Sequence, residues 1–283
     1  MPLVTTASLV TRARDASHGV AAFNVITLEH AEAIAEGAVR AGAGVILQVS
    51  ENAVRYHGGR LRPLSAALCA LAEESDASLS LHLDHVGDLD LLRQAAGAGA
   101  SSVMVDASRL PYDANVAATH EAASWAHAHG LWIEAELGEI GGKDGAHAPG
   151  VRTDPGDAAD FVGATGVDGL AVAVGSSHAM VDRTAGLDLD LVATLAARVP
   201  VPLVLHGSSG VPDATLAAAV AAGIVKVNIG TILNVAFTAA VRERLAAEPA
   251  LTDPRRYLAP ARSAVAETVA ALIAVVGPGG GRS

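Results

Sequence analysis

Three histidines follow the ends of three different apolar runs: His85 closes LSLHLDH, His178 follows GLAVAVGSS and His206 closes PLVLH. Imidazoles that converge from separate parts of a chain bind a transition-metal cation such as zinc and leave coordination positions open for substrate. Convergence requires the three runs to be parallel strands of one sheet, with their C-terminal ends on a shared face. Barrel enzymes place their chemistry on that face. Asn24, Ser50, Asp84, Asp106, Glu136 and Asn228 close other runs in the same way. For any one of them, a strand end meeting water is explanation enough. For the whole set, with three histidines in it, a metal-dependent active site explains more. Asp106 and Glu136 suit either of two roles: orienting the imidazoles from behind, or holding an alternative metal position.

The elements that must position these residues are legible as a rhythm. Apolar runs at 20–25, 45–50, 79–84, 102–106, 131–137, 169–174, 202–207 and 225–230 alternate with Ala-rich stretches at helical spacing. Segments such as LEHAEAIAEGAVRAGA and LDLLRQAAGAGA read as helices ending at glycine. Near-continuous apolar strands joined by helices indicate a parallel sheet buried on both faces. Eight such units predict an α/β fold, a (β/α)8 TIM barrel, rather than a doubly wound sheet; no Gly-rich dinucleotide fingerprint follows the first run. The barrel is expected to be a single domain over 1–276, with 277–283 a disordered tail. His18, His30, His57, His120, His127 and His129 fall in helices or loops and read as solvated. His82 reads as a hydrogen-bonded residue facing either the barrel or the helices, and nothing supports a role for the loop residue His147.

The chain of 283 residues is 51% hydrophobic, ample for one large core. Its formal net charge of −11 argues against non-specific nucleic-acid binding. It does not exclude an anionic substrate, because a cation and helix N-termini reverse the field locally. Cys69 is the single cysteine, so no internal disulfide forms and a reducing, cytoplasmic setting is expected. No signal peptide is expected from MPLVTTASLV, and no uncharged apolar stretch of about 18 residues suggests a membrane span.

Two Gly/Ser-bearing turns, HGSSGVP (206–212) and NIGT (228–231), follow the seventh and eighth runs. Loops at these two strand ends commonly cradle phosphate in a barrel, since small residues expose backbone N–H groups beside a helix start.

The blocks LDH (83–85), EAELGEIGG (134–142), AVAVGSSH (171–178), PLVLHGSSGVP (202–212) and KVNIGT (226–231) together resemble the signature of the class II, zinc-dependent ketose-bisphosphate aldolases. The family includes fructose- and tagatose-1,6-bisphosphate aldolases. The resemblance runs from AAFNV to DPRRYLAPAR (253–262), nearly the whole chain. It implies a glycolytic type of lyase with Zn2+ on His85, His178 and His206, and Asp84 as the acid/base on the substrate's C4 hydroxyl. It implies contacts to the dihydroxyacetone-phosphate half from Gly207, Ser208, Ser209, Asn228, Ile229 and Thr231, with Asn24 and Ser50 lining the same site. Asn228 suits a hydrogen bond to the enediolate. Arg255, of the DPR motif, resembles an arginine that reaches a neighbouring subunit's distal phosphate, which implies a homodimer or homotetramer. A monovalent cation, Na+ or K+, is implied beside the phosphate.

Three positions depart from the family pattern. GGKDG puts Asp144 where the family's closing loop carries a glutamate that handles the C3 proton. Ala179 replaces a glycine after the ligand histidine. Gly230 stands where some fructose-specific members carry an aspartate that contacts substrate hydroxyls, so fructose and tagatose stereochemistry both stay open, as does a relative's deoxy-gluconate phosphate. A Schiff-base aldolase would need a lysine at a strand end; Lys143 is in a loop and Lys226 inside the eighth run. A metal-dependent hydrolase would open with a His-x-His pair after the first strand, which AAFNV lacks. A non-catalytic phosphosugar-binding or chaperone-like subunit predicts a damaged site, whereas Asp84 and the three histidines are all present.

Overall fold

The computed structural model describes residues 3–137, 152–176 and 182–277. Eight parallel strands close into a barrel in sequence order. They are β1 (Val20–Asn24), β2 (Val45–Ser50), β3 (Leu79–Val86), β4 (Ser102–Val105), β5 (Trp132–Glu136), β6 (Gly169–Ala171), β7 (Leu203–Leu205) and β8 (Ile224–Ile229), with β8 pairing back onto β1. The eight apolar runs are these eight strands. The sixth and seventh are shorter than expected: beyond Ala171 and Leu205 the backbone leaves the regular ladder, although Val172 N still donates to Val204 O at 3.1 Å.

Strand alternation sorts the side chains. Ala21, Phe23, Leu47, Val49, Leu81, Leu83, Ile133 and Ala135 point outward and pack with the surrounding helices in one continuous core. Val20, Ala22, Ile46, Met104, Trp132 and Val204 point inward, where Leu9, Val10 and Ala13 of helix Thr6–Asp15 join them. That helix contacts β1, β3 and β8, so it plugs one end of the barrel and leaves the C-terminal rim as the open one. Each of these larger side chains, fully buried, contributes about 1.5–3 kcal/mol.

Helix Arg255–Val276 packs on β1 and helix Leu28–Ala41 on β2. Helix Leu28–Ala41 stops at Gly42, whose φ of 62° is the left-handed cap that glycine adopts without strain. It packs closely on helix Arg255–Val276 because Gly37 has no side chain: a Cβ there would lie 2.6 Å from Val269 Cγ1 and 2.7 Å from Ala266 O. Helix Arg255–Val276 is long and apolar enough, by length and composition, to cross a membrane. The sequence reading passed over it because Arg262 and Glu267 interrupt its apolar residues. Its apolar stripe, from Ala261 through Val265, Val269 and Leu272 to Val276, is buried inside the fold.

Candidate active site

Asp84 and His85 are adjacent in β3, so regular alternation would send them to opposite faces. The pairing of β3 with β4 shifts register between Leu83 and Val86, and His85 sits at φ 48°. A non-glycine residue there is strained by roughly 1–3 kcal/mol unless its surroundings hold it. Asp106 supplies the hold: its Oδ2 accepts from His85 Nδ1 at 2.9 Å, and its backbone N donates to Val86 O at 2.9 Å. The bulge turns both side chains into one cavity at the open rim, about 430 Å³ in volume.

His206, beyond the end of β7, meets His85 there. His206 Nε2 donates to Glu134 Oε1 at 2.8 Å, and its Nδ1 lies 2.9 Å from His85 Nε2. With the opposite ring nitrogens on carboxylates, the two facing nitrogens share the proton that His85 carries, and a metal cation can take that proton's place. Asp84 completes a group whose ligand atoms lie within 4.8 Å of one another. The charges agree with this. Burial would lower the His85 pKa, but the Asp84 charge, the Asp106 hydrogen bond and Glu136 raise it to about 9, so this position attracts positive charge. Burial keeps His206 below the ordinary histidine value and hence neutral. Burial would raise the Asp106 and Glu134 carboxyls. His85 holds the first well below the usual carboxylate range, and Lys226 with His206 does so for the second.

Asn24, Ser50, Asp84, His85, His206, Gly207, Ser208, Ser209, Asn228, Gly230 and Thr231 all line this cavity. Ile229 is buried in β8 and does not line it. The hydroxyls of Ser208 and Ser209 are engaged inside the protein. Ser208 Oγ donates to Asn228 O at 2.6 Å, and Ser209 Oγ accepts from Ile232 N at 3.2 Å. They staple the two glycine-bearing turns together, so the turns face the cavity mainly through backbone. Ser50 Oγ likewise accepts from Ala53 N as a helix cap. Asp106 stands behind His85 and outside the group that brings ligand atoms together, which favours the orienting role over the metal position. Glu136 is buried and also outside that group. Arg255 is away from this cavity, its side chain 89% exposed and paired with Asp253 at 2.8 Å. His178, Ala179 and Asp144 lie outside the described residues.

The sequence reading missed part of the site. Gln48, Asn52, Tyr56 and Asn234 also line the cavity. His30 is buried, not solvated: its ring stacks on Phe237 at 4.8 Å, a contact no local pattern reveals. Below the rim, part of the barrel interior is polar. His82 Nδ1 bonds Ser102 Oγ at 2.8 Å, and Lys226 pairs with Glu134 at 2.8 Å, all fully buried. The signal was present in the spacing. Gln48, His82, Glu134 and Lys226 each precede a rim residue (Ser50, Asp84, Glu136, Asn228) by two, and so share its inward face.

His82 makes stability depend on pH. Burial first, then the Lys226 charge, lower its pKa from 6.5 to about 3, against the opposing charges of Glu134 and Asp84. A depressed histidine holds fewer protons folded than unfolded, so its stabilising contribution is present above pH 6.5 and is lost as pH falls toward 3. Its share of the slope reaches about 1.4 kcal/mol per pH unit. Urea unfolding at pH 7 and pH 5 should therefore show a larger loss in the wild type than in His82→Asn. Equal losses would remove His82 as a source.

Residues 4–280 match the family described as class-II fructose-bisphosphate aldolase. The chain belongs to that family. Among its relatives is a probable fructose-bisphosphate aldolase of Bacillus subtilis (strain 168), 40% identical over 273 residues that cover 95% of each chain. A fructose-bisphosphate aldolase of Giardia intestinalis (strain ATCC 50803 / WB clone C6) is 36% identical over 99% of this chain and 94% of its own. The crystal structure of the YdjI aldolase from Escherichia coli K12 superposes with a TM-score of 0.84 at 30% identity, covering 98% of both chains.

Class II membership makes the protein a lyase that acts on a small phosphosugar, in a family that is generally metal-dependent. The donor set described above fits such a cation: two imidazoles oriented by carboxylates, with a third carboxylate beside them. The Schiff-base alternative fares worse. Lys226 is fully buried, ion-paired and absent from the cavity wall, and Lys143 lies outside the described residues. Asp106→Ala should weaken metal affinity about 10–100-fold by releasing the His85 ring. Competition with a chromophoric chelator reads this directly, and unchanged affinity would mean that the bulge alone orients His85.

Proposed function

We propose that the protein reversibly cleaves a ketose 1,6-bisphosphate, of fructose or tagatose type, to dihydroxyacetone phosphate and glyceraldehyde 3-phosphate, with zinc as its cation. One observation carries the reading: Asp84, His85 and His206 share a cavity with the two glycine-bearing turns. His85 and His206, joined by His178, would hold the zinc, which supplies a Lewis acid as negative charge develops on the former ketone oxygen. Asp84 takes the C4 hydroxyl proton during cleavage and returns it during condensation. Asn228 donates to the enediolate oxygen. Backbone N–H groups of the two turns, at the start of helix Thr231–Ala247, hold the phosphate, with Na+ or K+ beside it. Asp144 handles the C3 proton. Arg255 serves a neighbouring subunit's distal phosphate in a homodimer or homotetramer, and the enzyme works in the cytoplasm.

Gly230 favours a second reading, an aldolase with a different aldehyde partner or C4 stereochemistry. A Cβ at 230 would lie 3.2 Å from Asn24 Cγ, so an aspartate there would press on Asn24, and glycine leaves that amide undisturbed. The test is coupled detection of dihydroxyacetone phosphate from zinc-loaded protein, run in parallel on fructose 1,6-bisphosphate, tagatose 1,6-bisphosphate and the deoxy-gluconate phosphate. Chelator-sensitive product from either bisphosphate is expected. Product from the third substrate alone would establish the second reading, and none from any, at confirmed zinc content, would leave a binding protein.

A further inference from the structure

A buried ammonium lies beneath the cavity, and no step above uses it. Lys226 Nζ donates to Glu134 Oε2 at 2.8 Å, to Asn228 Oδ1 at 2.7 Å and to Gln48 Oε1 at 3.4 Å. An ammonium only donates, so every amide that meets it must present oxygen. The nitrogen of the same amide is then turned the other way. For Asn228 this directs Nδ2 to the cavity side, 3.4 Å from Asp84 Oδ1 and 3.1 Å from His206 Nε2. Gln48 relays the same polarity one residue further. Its Oε1 faces Lys226 while its Nε2 donates to Asn24 Oδ1 at 2.9 Å, which leaves the Asn24 nitrogen for the cavity that Asn24 also lines. Glu134 balances the ammonium charge, and its other oxygen accepts a hydrogen bond from His206 Nε2.

An asparagine amide turned by half a revolution would set its oxygen against the negative charge that develops on the substrate. In water the two orientations differ little; in a buried site they differ by the full sign of a dipole. We propose that Lys226 is a positioning residue: held by Glu134, it locks the Asn228 and Asn24 amides with their N–H groups toward the cavity, so that both are donors to the enediolate. The proposal rests on the aldolase reading given above.

A double-mutant cycle tests it. Lys226→Met with Glu134→Gln removes both buried charges together and still offers His206 an acceptor. This pair, Asn228→Ala, and the triple variant are compared by kcat, KM and zinc content. Calorimetry also measures their affinity for a phosphorylated hydroxamate, a planar mimic of the enediolate. The pair is expected to keep its zinc, lose about tenfold or more in kcat and in hydroxamate affinity, and hold KM within about threefold. In the triple variant the losses should fall well short of the product of the separate losses, because Lys226 acts in large part through Asn228 and only the share relayed through Gln48 to Asn24 remains. Losses that simply multiply, or a pair with wild-type hydroxamate affinity, would overturn the proposal. Asn228→Asp gives an answer that does not need the pair to fold. It keeps a partner for Lys226 but offers the substrate an acceptor, so it should bind the hydroxamate more weakly than Asn228→Ala does, and the reverse order would overturn the proposal. Failure of the aldolase reading shows differently, as wild-type protein that cleaves none of the sugar phosphates, while the hydroxamate affinities still report the amide orientation.

Discussion

His206→Ala is expected to lose bound metal and cleavage together. Its Nδ1 faces His85 Nε2 at 2.9 Å, where the proposed cation would bind, and its Nε2 is fixed by Glu134. On the proposed reading, alanine would leave His85 and His178 to hold the ion without one of its neutral ligands. Charge developing in the transition state then lacks its stabilising partner, a loss of at least about 10³-fold in kcat/KM. Glu134 also loses its hydrogen bond, at about 1–3 kcal/mol, so circular dichroism should first confirm that the variant is folded. Metal content by emission spectroscopy, on the samples used for kinetics, reads both effects. A folded His206→Ala protein with a full complement of zinc would exclude His206 as a ligand.

Asp84→Ala separates proton transfer from metal binding. Asp84 is buried at the cavity wall, within reach of Asn228 Nδ2 at 3.4 Å and close to the two imidazoles. Its ligand atom falls within the same 4.8 Å group, so it has two available roles, ligand or acid/base. The acid/base role leads to retained zinc and a loss of about 10²–10⁴-fold in cleavage, the usual contribution of a positioned proton carrier. The ligand role leads to lost zinc. A variant that keeps both its zinc and a near-normal rate contradicts either role.

Much of this site could be read from residue order, and the exceptions have physical causes. The strands were legible because a parallel sheet covered by helices demands apolar side chains on both faces, and runs such as VILQVS and LSLHLD meet that demand. Asn24, Ser50, Asp84, His206 and Asn228 were legible because they interrupt such runs at the rim. The geometry of His85 was not. Alternation places it outside the barrel, and only the bulge with its positive φ brings it in. Lys226 and Glu134 went unread because a charge inside an apolar run signals nothing until its partner is known, and they lie 92 residues apart in sequence. His30 was misread for the same reason, its partner Phe237 lying on a distant helix. Arg255 lies away from its own chain's cavity, exposed and paired with Asp253, so nothing within one chain marks it.

Metal dependence is the central claim and is open to one direct measurement. Release of dihydroxyacetone phosphate from the preferred bisphosphate is followed on one sample: as prepared, after chelation to a verified metal-free state, and after zinc is restored. The account expects activity to vanish with the metal and to return in proportion to zinc bound, approaching full rate at one ion per chain. Undiminished cleavage by verified metal-free protein would contradict it.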